Sequence, residues 1–370
     1  MKRLKSHHGV ICRLPKKPLG YFGWPSIARS EDNTLIVVSS GLRALHVCPW
    51  GKTVLHISKD NGKSWTDSIV VNDTPIDDRD AGIISLGGER LLISWFTSDT
   101  REYNPHTWEL NLKPWQYGIH DKILKEINSW TDDRVYKYLG SWIRVSENGQ
   151  EWDKPIRVPV TAPHGPIRLS DGNLLYFGKS VSSGKAYHTD LKYGKIISAN
   201  SKDNGRTWNI IGELPIPKGT AFESFHEPHI VELTSGKIIG IIRYQHSGSM
   251  KKHDDFSLFQ TESYDGGETW STARPTGVYG SPPHLLKHSS GAIICVYGYR
   301  RKPYGERAML SYDEGITWKS NYIIRDDAPD SDLGYPASVE LEDGSIFTIY
   351  YQKYAKGENC SLLWSRWKLP

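Results

Sequence analysis

Residues 58 to 65 read SKDNGKSW, and the phrase returns as SKDNGRTW at 201–208, SYDGGETW at 263–270 and SYDEGITW at 311–318. A worn copy, VSENGQEW, occupies 145–152. Every intact copy sets Asp five residues and Gly three residues before Trp. That spacing has a local physical reason. An Asp side chain accepts hydrogen bonds from nearby backbone N–H groups, while Gly two positions later supplies a left-handed backbone that other residues resist. The pair writes a tight hairpin turn, and Ser or Thr leads into a Trp that starts the return strand and lays its ring over a sheet. Asp60 is thereby spent on its own turn, and nothing in the phrase demands catalysis.

A second repeat runs out of phase with the first: IARSEDNTLIVVSS from 27, ISLGGERLLISW from 84, IRLSDGNLLYFG from 167, VELTSGKIIGII from 231, LLKHSSGAIICVYG from 285 and VELEDGSIFTIYY from 339. Each is a strand, a short turn and an apolar strand, giving six hairpins of which five precede an Asp/Gly/Trp turn. Four strands per repeat predict an all-β fold, a six-bladed β-propeller occupying 1–370 as one domain. One step is long. Between LLISWF and YLGSWIRVS, blade two gains an insertion over about 97–139, where Ile119, Ile123, Leu124, Ile127 and Trp130 recur at helical spacing. We expect a short helical cap over one face. The last blade lacks its own box, so HGVICRLP at 8–15 is expected to supply its outer strand and close the ring.

Composition narrows the partners. With 46 Lys+Arg against 42 Asp+Glu, the net charge of +4 is mild, and no basic block points to nucleic acid. No apolar run is long enough to span a membrane. The basic start MKRLKSHHGVICRLP lacks the apolar core of a secretory signal, so a cytoplasmic location is expected. Cys12, Cys48, Cys295 and Cys360 lie too far apart for a metal motif, so no metal or other cofactor is expected. The 14 Trp and 20 Tyr suit both packing between blades and platforms for sugar faces.

In a propeller the inner strands start around one channel. Nine and eight residues before the aligned turn position stand Trp24-Pro25, Arg79-Asp80, Pro163-His164, Glu227-Pro228, Pro282-Pro283 and Tyr335-Pro336. An acid, an imidazole, a phenol and a guanidinium beside a carboxylate at equivalent places are what a shared pocket requires. His226, His229 and His284 lie close by as pocket liners or structural histidines.

These boxes, blades and pocket residues resemble the sialidase (neuraminidase) superfamily across essentially the whole chain. The resemblance implies an exo-acting glycoside hydrolase that removes a terminal acidic sugar, a sialic or related ulosonic acid, from an acidic glycan. FHEPHIVELTSGKIIGIIRY matches the family stretch with a Glu and a substrate-binding Arg, which are Glu227 and Arg243; GERAMLSYDEGITW gives Arg307, and DLGYPASVELEDGSIFTIYY gives a nucleophilic Tyr335. A neutral Tyr hydroxyl avoids the repulsion that a carboxylate nucleophile meets at an anomeric carbon bearing a carboxylate. Glu227 is then the base for Tyr335, and the arginines fork onto the substrate carboxylate.

The first half departs from the family. In YFGWPSIAR, Gly23 stands where the first arginine of the clamp belongs, and after Arg43 there is His46 but no acid Asp before the first box. Asp80 and His46 are alternative acids, while Arg79 is placed to substitute for the lost arginine. Arg43, Trp24 and His164 complete the expected binding set. Two other readings stay open: a glycosidase or lyase for another acidic polysaccharide using His46 or His164 with Tyr335, and a non-catalytic carbohydrate-binding propeller. The oligomeric state is not legible.

Overall fold

The computed structural model describes residues 2–181, 194–246 and 254–370. Its strands form six sheets. Blade one is Tyr21–Arg29, Leu35–Arg43, Lys52–Ser58 and Ile69–Asn72, in that order from the centre outward. The same antiparallel order repeats in the later blades, the inner strand of blade three being split into Val160–Thr161 and Ile167–Arg168, and each blade packs on the next around a closed circuit. In blade six, Gly334–Glu340, Ile346–Lys353 and Cys360–Trp367 are completed by His7–Cys12, which pairs antiparallel with Cys360–Trp367. The outer strand predicted over 8–15 thus begins one residue earlier and stops at Cys12. A second closure was not anticipated: Lys2–Arg3 pairs parallel with Lys319–Arg325 at the outer edge of blade five.

The repeated phrase is the turn between third and fourth strands. In the first copy Asp60 accepts from the Ser64 N–H at 2.9 Å and the Ser64 hydroxyl at 2.6 Å, while Ser58 Oγ accepts from the Gly62 N–H at 2.9 Å. These bonds to its charged form hold the Asp60 carboxyl down at about 2. Asp203, Asp265 and Asp313 repeat the pattern, and Asn148 serves the worn copy by accepting from two backbone N–H groups.

The box glycine has a further reason. In the four intact copies it holds φ between 80° and 94°, and a Cβ there would meet a side chain of the preceding blade, Phe347 for Gly62 and Ile239 for Gly315, each at 2.5 Å. The turn therefore joins neighbouring blades. Gly315→Ala is expected to lower unfolding stability by about 1–3 kcal/mol through backbone strain and overpacking, read from the urea midpoint.

The insertion holds α1 (Pro105–Asn111), α2 (Ile119–Asn128) and α3 (Asp132–Tyr138). Ile119, Ile123, Ile127 and Trp130 pack on Ala44, Leu45, Val47 and Cys48 of blade one, with Leu124 at the margin. Strand direction fixes its side of the disc. First strands run from the channel mouth toward the hairpin turns, second strands return, and third strands run down again into the boxes. Links between second and third strands, including the insertion and His46, therefore share the mouth face, and the boxes lie on the other.

Candidate functional site

Five blades hold a residue in the left-handed region at or near the channel end of the inner strand: Trp24 (φ 52°), Asp80 (48°), His164 (70°), Glu227 (45°) and Tyr335 (51°). For non-glycine residues that conformation costs about 1–2 kcal/mol each, and it recurs eight or nine residues before the aligned turn in five blades. In four of these strands the pairing register shifts just there, as a bulge does when it re-aims a side chain. Blade five has Pro282 at this position, whose ring does not allow a positive φ.

The side chains so aimed meet. Tyr335 Oη donates to Glu227 Oε1 at 2.5 Å, and Arg243 Nη1 donates to Glu227 Oε2 at 2.5 Å. The second Arg243 Nη reaches Gln245 Oε1, also at 2.5 Å. Burial works to raise the Glu227 carboxyl, but the Arg243 charge and the two hydrogen bonds outweigh it and leave it below the usual range. Burial, together with the negative charges of Glu227 and Asp80, pushes the Tyr335 hydroxyl well up. The pair is thus a neutral phenol bonded to an ionised carboxylate.

Asp80 shares this chamber. Its Oδ1 is buried without a hydrogen-bond partner among the described residues. Burial raises its carboxyl to about 7, against the pull of Arg79, with Glu227 adding to the rise. The Arg79 guanidinium lies 4.8 Å from the Trp24 ring centre, and Trp24 stands edge-on to Tyr335 at 6.3 Å.

Other predicted residues have different work. Arg43 is fully buried and forks onto Asp77 at 2.6 and 2.8 Å, with further bonds to Ser40 Oγ and to the carbonyls of Leu45, His46 and Asp78. It shapes the loop carrying His46 rather than facing a ligand. Arg307 stands apart from the chamber, on the third strand of blade five, where its guanidinium bonds the carbonyls of Pro303, Glu306 and Arg325. His164 sits deeper, its ring 5.0 Å from His284 and 5.7 Å from His229. Leu285 and Ser338 N–H groups donate to Nδ1 of His229 and His284, which fixes both as Nε2–H tautomers when neutral.

His46 edges onto Trp24 at 4.7 Å, with Nδ1 3.4 Å from Tyr21 Oη and 3.6 Å from Asp332. Two cations escaped the sequence reading. Arg300 lies 5.9 Å from the Tyr335 ring centre and is anchored on the carbonyls of Ser281 and Leu333. Lys179 is buried near Glu223 and Glu227, and burial lowers its ammonium to about 8 against their attraction. It lies seven residues after its turn Gly, as Arg243 does, a spacing that could have found it.

A family model described as a BNR repeat-like domain matches residues 122–348. Among solved structures, a protein of unknown function from Dyadobacter fermentans is similar at 20% identity and a TM-score of 0.73, with 99% of each chain covered. A Hadza microbial sialidase is similar at 15% identity and TM-score 0.65, covering 98% of this chain and 68% of that one. Trypanosoma rangeli sialidase, solved with sialic acid, follows at 15% and 0.63, this chain spanning 60% of its length. These likenesses show a shared fold. No functionally curated protein matches the sequence.

Because Asp80 binds a proton more tightly folded than unfolded, its ionisation opposes folding increasingly as pH rises from about 4 to about 7. Asp80→Asn should therefore gain stability relative to the wild type between pH 4.5 and 7.5, by roughly 1–4 kcal/mol in paired urea titrations.

Proposed function

This chain belongs to the family of BNR repeat-like domains, and we propose that it is a retaining exo-glycosidase that removes a terminal acidic sugar, a sialic or related ulosonic acid. The observation that carries the reading is the chain of bonds from Tyr335 through Glu227 to Arg243, in which Tyr335 and Glu227 stand at left-handed positions of two different blades and Arg243 on the strand next to Glu227. A structural ion pair needs no phenol at its other oxygen.

The chemistry follows from charge. At an anomeric carbon that bears a carboxylate, a neutral phenol approaches without repulsion, and its proton passes to Glu227 as the oxygen attacks. Arg243 and Arg300 take the substrate carboxylate, with Arg79 standing in for the arginine that Gly23 displaces. Arg243 also keeps Glu227 ionised, so activity should fall only below the ordinary Glu range as pH drops.

Tyr335→Phe and Glu227→Gln should each cut kcat on a 4-methylumbelliferyl ketoside of N-acetylneuraminic acid by about 10³-fold or more. A fluorinated acidic ketoside should leave an adduct on the peptide containing Tyr335, seen by mass spectrometry. Full activity of Tyr335→Phe, or inert wild-type protein across a panel of sialic, ulosonic and uronic aryl glycosides, would overturn the reading.

A further inference from the structure

Next to the chamber, on the far side of Trp24 and Tyr21, lies a cavity of about 370 Å³. Its volume is in the range of small-molecule sites, roughly 300–1,000 Å³. One wall is the insertion, through Tyr103, Trp108 and Lys113; the opposite wall is blade six, through Asp330, Lys353 and Glu358; His46 and Asp332 line it beside Tyr21. The insertion is held there by design of the fold: Trp108 Nε1 donates to the Val47 carbonyl at 3.1 Å and Gln116 to the Ala44 carbonyl at 2.7 Å. The insertion thus supplies one whole wall of the cavity.

The geometry points to this cavity as the subsite for the leaving-group sugar, with His46, oriented by Asp332, as the acid that protonates the bridging oxygen. This rests on the reading of Tyr335 as nucleophile. A general acid must touch the bond that breaks and must have open space behind it for the departing group. His46 stands between the two: its ring borders Trp24 at 4.7 Å, Trp24 in turn borders Tyr335 at 6.3 Å, and the imidazole lines the cavity with about half of its side chain accessible. Asp80, by contrast, is buried among Arg79, Glu227 and Tyr335. The occupant is an uncharged hexose. Lys353 is paired with Asp330 at 2.6 Å and Glu358 with Arg13 at 2.5 Å, and the other two charged liners, Lys113 and Asp332, are of opposite sign, so the walls offer hydrogen bonds and the rings of Tyr21 and Tyr103 without a large net charge.

The step balances. Tyr335 oxygen, its proton passing to Glu227, bonds the anomeric carbon as the bond to the leaving sugar breaks; that electron pair goes to the bridging oxygen, which takes the Nε2 proton of His46. Water then gives a proton to neutral His46 and its oxygen to the anomeric carbon. The Tyr335 bond breaks with its electron pair on the phenol oxygen, and Glu227 returns the proton.

The groups facing His46 are Tyr21 and Arg43 of blade one, Arg79 of blade two and Asp332 ahead of blade six. Burial lowers the imidazole pKa, the Asp332 bond opposes this, and the two arginines add to the fall. An acid must be protonated, so turnover is lost as pH rises through a value below the ordinary 6.5. Asp332→Asn removes the opposing influence and should move that alkaline limb further down.

The decisive measurement compares two ketosides of one sugar acid, sialyllactose and the 4-methylumbelliferyl ketoside. His46→Asn should lower kcat/KM on sialyllactose by about 10²–10⁴-fold, and by less than about tenfold on the aryl ketoside, whose leaving group needs little acid help. Equal losses on both overturn the assignment. Tyr103→Ala and Lys113→Ala should raise KM for sialyllactose selectively; unchanged KM overturns the subsite. Lactose binding, followed by saturation-transfer NMR on wild type and Lys113→Ala, needs no turnover. Binding that is lost in the variant supports the subsite even if the nucleophile reading fails, and absence of binding to wild type overturns it.

Discussion

A ring of sheets holds its centre open only if the last sheet meets the first, and here the seam is where the chamber lies. Tyr335 belongs to blade six and Trp24 to blade one, and both sit in a single apolar cluster with Phe22, Leu35, Val37, Phe347, Ile349 and Leu362. The seam is pinned on the mouth side as well, where Tyr21 Oη donates to Asp332 at 3.0 Å. Were blade six to lose its outer strand, its sheet edge would open and the packing that sets Tyr335 against Trp24 would loosen with it.

Given a closed ring, the disc divides its labour between two faces. On one, serine, aspartate and glycine satisfy one another inside each box and wedge neighbouring blades together. On the other, residues held in an unfavourable backbone region look into the channel. The strain at the inner-strand heads is sustained because the strands beyond them are paired along their length and buried. Groups of opposite charge can then be crowded into one chamber, where the hydrogen-bonded Arg243 keeps Glu227 ionised while burial holds Asp80 toward its neutral form against the pull of Arg79.

Much of this was legible, and the reasons for the rest are specific. Turn chemistry is local, so the boxes and hairpins could be read from eight- to fourteen-residue phrases, and their phase aligned Glu227 with Tyr335. Arg307 misled because closeness to a box in sequence does not say on which strand a residue stands; it lies on the third strand, away from the channel. Arg300 was missed because it comes just after the second strand Ile293–Tyr299, two residues beyond the place Arg243 holds after its own turn Gly. The meeting of His46 with Asp332 joins segments with nothing local in common, and only closure of the ring brings them together. The insertion announced its helices through apolar spacing, whereas the cavity it walls depends on which loop it leans upon.

The seam also has a history in each molecule made. His8 and Ser365, hydrogen-bonded across it, are 357 residues apart. At about 5–20 residues per second a ribosome separates their appearance by on the order of 20–70 s. Throughout that interval the strand His7–Cys12 has no partner, and the five earlier blades form an open arc. The nascent chain therefore carries an unpaired β-edge until blade six emerges, and the chamber cannot be completed before it.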